Sequence, residues 1–225
     1  MNYLLGSLSE PLTSCIRGFS RAIKAGAFTW GDTVVIQGTG PIGILAIAAA
    51  QEMGASRVVA VGAPENPRLK LARKFGAEAT VDITEYKTAD VRIKAVRDIV
   101  GGYGADVVMD CSGHPTGGPE GIEFLRDGGC YIEMGQFTDA GSIETNWHRI
   151  CAKDITLLGS WAFTANDLAL GVQMLDKARN KYPWREMQTL YPFTLDGVKR
   201  AVSDAMAMKT VKSTIVPNED MLQGE

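Results

Sequence analysis

Gly38, Gly40 and Gly43 stand at the spacing G-x-G-x-x-G within Thr33-Val-Val-Ile-Gln-Gly-Thr-Gly-Pro-Ile-Gly43, and that spacing can serve one particular chemistry. A β-branched apolar run leads into the glycines, and the helix-forming run Ile44-Leu-Ala-Ile-Ala-Ala-Ala50 leads out. Strand, glycine turn and helix in that order suit the pyrophosphate of a dinucleotide. Gly38 permits a tight turn, Gly40 lets the backbone approach phosphate, and Gly43 lets helix and strand pack closely. The unpaired N–H groups and the positive dipole end of the helix then face the anion. Pro41 fits the first helical turn, where its missing N–H costs little. The candidate phosphate cradle is therefore Gly38, Thr39, Gly40, Pro41 and Ile42. A Rossmann-like fold serving another nucleotide, such as a methyl donor, is the competing reading of the turn alone.

The choice of cofactor turns on the end of the next strand. An acidic residue about 20 positions beyond the motif commonly takes the adenosine ribose hydroxyls. Gly62 stands there instead, in Val61-Gly-Ala-Pro-Glu-Asn-Pro-Arg68. A missing carboxylate removes the repulsion that would exclude a 2′-phosphate, but no Arg or Lys follows at once, and Pro64 occupies its place. Gly62 and Ala63 mark the ribose position, Glu65 is a substitute acid, and Arg68 can meet the ribose or a phosphate. The plain alternative for Arg68 is a surface helix residue. NAD is the expected cofactor by a small margin, with NADP open.

These residues need elements to position them. Arg57–Gly62 reads as a second buried strand, Asn66–Phe75 as an amphipathic helix ended by Gly76, and Thr80–Ile83 as a third strand. Val91, Ala95, Val96 and Ile99 give 88–100 helical periodicity. Ala105–Cys111 is a fourth strand with the loop Ser112–Gly118 behind it. A helix Pro119–Leu125, a strand Cys130–Gly135, a strand Ile155–Gly159 and a helix Asn166–Ala178 follow. Strands alternating with helices on short connections predict an α/β fold, a doubly wound parallel sheet covered on both faces. Beyond about Tyr182 the segments do not extend the βαβ rhythm. Leu5–Ala25 precedes it with helical spacing, and both ends read as pieces belonging against something else.

The bulk properties are those of a soluble globular chain. Its 225 residues can bury one full α/β core. A net charge of −3 gives no electrostatic reason to expect nucleic acid or an anionic membrane as partner. No apolar run reaches the roughly 18 residues of a spanning helix, and no leader pattern follows Met1, so the cytoplasm is the expected compartment. Cys15, Cys111, Cys130 and Cys151 include no C-x-x-C pair, which argues against a zinc ribbon or redox dithiol. At least three of them are expected to be reduced, mostly buried thiols.

Taken together, Gly31-Asp-Thr-Val-Val-Ile-Gln-Gly38, the glycine turn and Arg68-Leu-x-Leu-Ala-x-x-Phe-Gly-Ala77 resemble the zinc-dependent medium-chain dehydrogenases and reductases. So do Gly104-Ala-Asp-Val-Val-x-Asp-Cys-Ser-Gly113, Leu125-x-x-Gly-Gly129 and Ile155-Thr-Leu-x-Gly-Ser160. The match, to alcohol, sorbitol and threonine dehydrogenases, runs over nearly the whole chain. It implies a GroES-like catalytic domain that this sequence does not contain, for it has no Gly-His-Glu motif, catalytic Cys–His pair or four-cysteine lobe. The resemblance then divides the chain into an interdomain helix at 1–25, a dinucleotide-binding domain at 26–183 and a C-terminal return at 184–225. The tail Tyr191–Pro217 would be disordered, dock on a neighbour or swap between chains.

The resemblance also implies site residues. Ser112-Gly113 and Gly135-Gln136 would run past the nicotinamide ribose, with Ser160-Trp161 weaker. Glu10, in Glu10-Pro-Leu-Thr-Ser-Cys-Ile16, resembles the Glu-Pro-Leu carboxylate ligand of sorbitol-type relatives, with Cys15 as runner-up. A glutamate favoured by the helix dipole is the plain alternative. One carboxylate holds no zinc alone, so this chain is expected to be metal-free. His114 and His148, read as loop residues, match no proton-relay position, and the catalytic residue stays unknown. In the complete enzyme zinc would polarise an alcohol oxygen and hydride would pass to the nicotinamide. This chain alone is expected to bind dinucleotide with little turnover. The alternatives are a zinc-free enone or quinone reductase and a non-catalytic NAD(H)-binding module. A homo-oligomer paired through Ile155–Gly159 is expected.

Overall fold

The computed structural model describes residues 2–218. Two helices come first, α1 (Tyr3–Gly6) and α2 (Ser9–Lys24), before strand β1 (Thr33–Gln37) and helix α3 (Pro41–Glu52). Then come β2 (Arg57–Gly62), α4 (Lys70–Lys74), β3 (Ala79–Asp82), α5 (Ala89–Ile99), β4 (Ala105–Asp110), α6 (Gly117–Phe124) and β5 (Leu125–Glu133). The chain continues through α7 (Trp147–Ala152), β6 (Thr156–Gly159), α8 (Ala165–Lys177), β7 (Gln188–Pro192), α9 (Leu195–Met206) and β8 (Lys212–Val216).

Strands β1 to β6 form one parallel sheet in the order β3-β2-β1-β4-β5-β6. This is the expected doubly wound α/β class, and its order reverses between β1 and β4, where such sheets open a crevice at their carboxyl ends. The strands are apolar because both faces are covered. Val34 and Ile36 enter a core with Phe19 of α2, Ile44 and Ile47 of α3 and Leu175 of α8. Val35 points the other way, onto Val108, Val96 of α5 and Phe124 of α6.

Three expectations need correction. The apolar face of α2 packs on this chain's own sheet rather than against another body: Leu12, Cys15 and Phe19 are wholly buried in the first of these cores. The helix is fixed to the start of α8 by Arg17, whose Nη1 lies 3.0 Å from Asp167 Oδ2. At Gly171 a Cβ would fall 2.1 Å from Thr13 Oγ1, so that crossing needs a glycine. Secondly, the C-terminal segment does make a βαβ unit: β7 and β8 pair in parallel across α9 as a separate two-stranded sheet. Gln188 Nε2 donates to Leu4 O at 3.0 Å, docking that unit on α1 of its own chain. Residues 219–225 of the expected return lie outside the described residues.

Thirdly, the regular part of the helix expected from Asn66 starts only at Lys70, because Asn66 is extended (φ −117°, ψ 124°) between prolines 64 and 67. The four cysteines are free thiols: Cys15 and Cys130 are buried, Cys111 is partly buried against the first core and Cys151 is exposed.

Candidate dinucleotide-binding site

The glycine turn joins β1 to α3 at the crevice, and its three glycines answer to different constraints. Gly38 has φ +92°, and a Cβ there would lie 2.8 Å from the Cys111 carbonyl at the end of β4. At Gly43 a Cβ would sit 1.8 Å from the Gly38 carbonyl oxygen, so α3 can start this close to β1 only without a side chain. Gly40 has nothing within 4 Å of its would-be Cβ. It is the N-cap of α3, with extended backbone, Pro41 behind it and no side chain capping the helix. The N–H groups of that first turn are therefore presented to an open space, the arrangement that suits an anion.

The end of β2 carries no acid, and the structure gives the reason. Thr39 is buried, and a Cβ on Gly62 would fall 2.3 Å from its Oγ1. Glu65, the substitute acid, is paired with Arg73. Arg68 is half-buried with its Nε unpartnered, and burial pulls its guanidinium below its usual range. Among the described residues no acidic side chain pairs with it. Ala63 contributes its carbonyl, which accepts from Thr39 Oγ1 at 3.5 Å.

A cavity of about 240 Å³ lies between the ends of β1, β2 and β4, lined by Gln37, Gly38, Gly62, Ser112, His114 and Gly117. Val61, Ile83, Arg92, Thr116 and Glu120 complete its wall. Arg92 of α5 and Glu120 of α6 form a two-pronged pair, Nε–Oε1 at 2.7 Å and Nη2–Oε2 at 2.6 Å. That hydrogen bonding holds the Arg92 guanidinium above its usual range. His114 Nδ1 lies 2.7 Å from Thr116 Oγ1.

The loops after β4 and β5 meet at the far end. Ser112 N donates to Asp110 Oδ1 at 2.7 Å, and Gln136 N donates to Glu133 Oε1 at 3.0 Å. A Cβ on Gly135 would stand 2.7 Å from Gly113 N, so the two loops touch backbone to backbone. Gln136 and Glu133 line a second cavity of about 350 Å³. Burial raises both the Asp110 and the Glu133 carboxyl above the usual carboxylate range.

The structure thus brings Gly38, Gly62 and Ser112 to one cavity, Thr39 against Gly62, and Gly113 against Gly135 with Gln136 beside it. Arg68 lines neither cavity. Glu10 is exposed in the first turn of α2. Cys15 is wholly buried, burial pushes its thiol up, and its Sγ lies 3.4 Å from Pro11 O and 3.5 Å from Ile42 O, one of which can take its single hydrogen. Among the described residues no three His, Cys, Asp or Glu side chains group to hold a metal. Ser160 Oγ is buried without a partner, and Trp161 stacks on Phe137 with ring centroids 4.5 Å apart. His148 is in α7 rather than in a loop, exposed. Sequence reasoning misses Gln37, Arg92 and Glu120. Gln37 adjoins the motif and is within its reach, whereas Arg92 and Glu120 are 28 residues apart and leave no local signal.

Comparison with known proteins agrees with this fold. The profile described as "Zinc-binding dehydrogenase" matches residues 41–177. An erythritol/L-threitol dehydrogenase of Mycolicibacterium smegmatis is 34% identical over 191 residues, covering 81% of this chain and 49% of that protein. A sorbitol dehydrogenase of Halalkalibacterium halodurans is 33% identical, covering 77% and 48%. This chain spans about half the length of the curated relatives it matches. Among solved structures, an alcohol dehydrogenase from Thermotoga maritima superposes with a TM-score of 0.83 at 24% identity, over 97% of this chain and 59% of that one. A structure from Sinorhizobium meliloti, described as a zinc-binding dehydrogenase bound to NADP, gives 0.77 at 24% identity over 95% and 59%. No helix among the described residues is long and apolar enough to cross a membrane. By its sequence and its fold, the chain belongs to the zinc-binding dehydrogenase family.

Proposed function

We propose that this chain is the nicotinamide-dinucleotide-binding portion of an alcohol or polyol dehydrogenase. One observation carries the reading: Gly40 leaves open space at the uncapped amino end of α3, while Gly38 and Gly43 are fixed by backbone contact. A pyrophosphate there would take the N–H groups of the first turn, with Thr39, Pro41 and Ile42 around it. The adenosine half would lie by Gly62, Ala63 and Arg68, and the nicotinamide half by Ser112, Gly113, Gly135 and Gln136. When bound, the nicotinamide supplies the hydride acceptor or donor. The names of the polyol-oxidising relatives support the substrate class.

With no carboxylate at position 62 and Glu65 occupied by Arg73, nothing strongly excludes a 2′-phosphate. The affinities for NAD and NADP should therefore lie within about tenfold, or 1.4 kcal/mol, of each other. The described residues do not by themselves make a zinc site, and no step through zinc is derived for this chain. Glu10 is kept as a ligand only in company with side chains supplied from elsewhere. Self-association through the outer edge of β6, which among the described residues pairs with β5 alone and exposes Leu157, belongs to the same reading.

Calorimetric titration with NAD and NADP side by side, plus metal analysis, tests this. Saturable binding of either with no stoichiometric zinc is expected, and heat-silent titrations with both would refute the reading.

A further inference from the structure

We propose that Tyr131 is a positioning residue whose hydroxyl, with one proton shared between Asp110 and Glu133, ties the loop after β4 to the loop after β5 and so sets the nicotinamide end of the crevice; this rests on the function proposed above. Each loop hangs on one carboxylate, Ser112 N on Asp110 Oδ1 and Gln136 N on Glu133 Oε1. The remaining oxygen of each turns to the same hydroxyl: Tyr131 Oη is 3.4 Å from Asp110 Oδ2 and 3.3 Å from Glu133 Oε2. A hydroxyl owns a single hydrogen, so it can satisfy only one of two ionised carboxylates. If one carboxyl keeps a proton, that proton is donated to the tyrosine oxygen and the tyrosine hydrogen goes to the other carboxylate. With both ionised, one bond remains between two like charges.

The ring cannot step aside. Tyr131 is buried, and a Cβ on Gly121 of α6 would already lie 2.5 Å from its Cε2. The loops cannot part without breaking their contact at Gly113 and Gly135. The surrounding charges do not relieve the pair. His114, on the loop after β4, attracts Asp110 weakly, whereas Glu120 of α6 is already taken by Arg92 of α5. The Cys111 thiol next to Asp110 is held neutral by burial. Burial raises both carboxyls, and Asp110 raises Glu133 further. Acids held above their unfolded values bind more protons in the folded state. The tie is therefore complete at low pH and lost as pH rises through the cluster's range.

The test uses the 225-residue chain and fluorescence titration with NADH and NADPH between about pH 5 and about pH 9. The wild-type Kd should rise about tenfold across that window, the change given by one pKa unit of difference between free and bound protein. Glu133→Gln keeps the acceptor for Gln136 N and offers an N–H to Tyr131, so it should bind at the low-pH strength with a flat profile. Tyr131→Phe should bind more weakly at low pH, also flat. A purely structural role would lower affinity equally at every pH. A flat wild-type profile, or the wild-type slope surviving in both variants, overturns the proposal. If no coenzyme binds at any pH, the function proposed above fails, and thermal unfolding decides this inference separately. The wild-type midpoint should then fall with pH more steeply than that of Glu133→Gln, and parallel curves would overturn it.

Discussion

On the β1 side of the crevice, Gly38, Gly40 and Gly43 shape the backbone by the side chains they lack. On the β4–β5 side, Asp110, Glu120 and Glu133 hold the backbone and walls by what their carboxylates reach. The first side is steric and local, written in six consecutive residues. The second is electrostatic and assembled from strands and helices far apart in sequence. Substitutions on the steric side should therefore act through contacts, and those on the other side through unpaired charge.

The largest expected effect is at Gly43. Gly43→Val drives a Cβ to 1.8 Å from a backbone carbonyl that cannot turn away. A loss of more than about 4 kcal/mol is expected from urea unfolding. Next is the opposite wall, where Arg92→Met leaves Glu120 buried without its partner. That should cost about 3 kcal/mol, the low end for a broken buried pair because Arg92 keeps some exposure. Arg92→Met with Glu120→Met should recover part of it, and a double-mutant cycle that is additive would deny the pairing energy.

A smaller effect is expected where the steric code touches coenzyme choice. Gly62→Asp meets the Thr39 side chain at 2.3 Å and should cost about 1–3 kcal/mol of stability. Adding Thr39→Gly should return most of it and shift preference toward NAD, measured as the ratio of the two affinities. If the single variant is already neutral, Thr39 does not keep position 62 a glycine.

The same contrast separates what is legible in the amino-acid sequence from what is not. Val34, Val35 and Ile36 announce a strand buried on both faces, and the glycine spacing announces the turn, because both are short-range constraints. The pairing of Arg92 with Glu120, and of Asp110 and Glu133 through Tyr131, depends on strand order and helix placement, which no local spacing encodes. The unit from Gln188 to Val216 escapes a sequence reading for a related reason. Its polar, proline-ended strand β7 lacks the apolar run that marks β1, and it gains its partner only across α9. Leu5–Ala25 is legible as helical from its spacing, but only three-dimensional packing tells which neighbour takes its apolar face.

The least destabilising substitution tests the account most directly. Gly40→Ala places a methyl group where nothing lies within 4 Å, at an extended N-cap position, so stability should change by less than about 1 kcal/mol. Calorimetric titration of this variant and wild type with NAD and NADP should show affinity falling by about tenfold or more, or 1.4 kcal/mol, with the fold intact. Equal affinities for the two proteins would mean that no diphosphate rests on the turn, and the central claim would be lost.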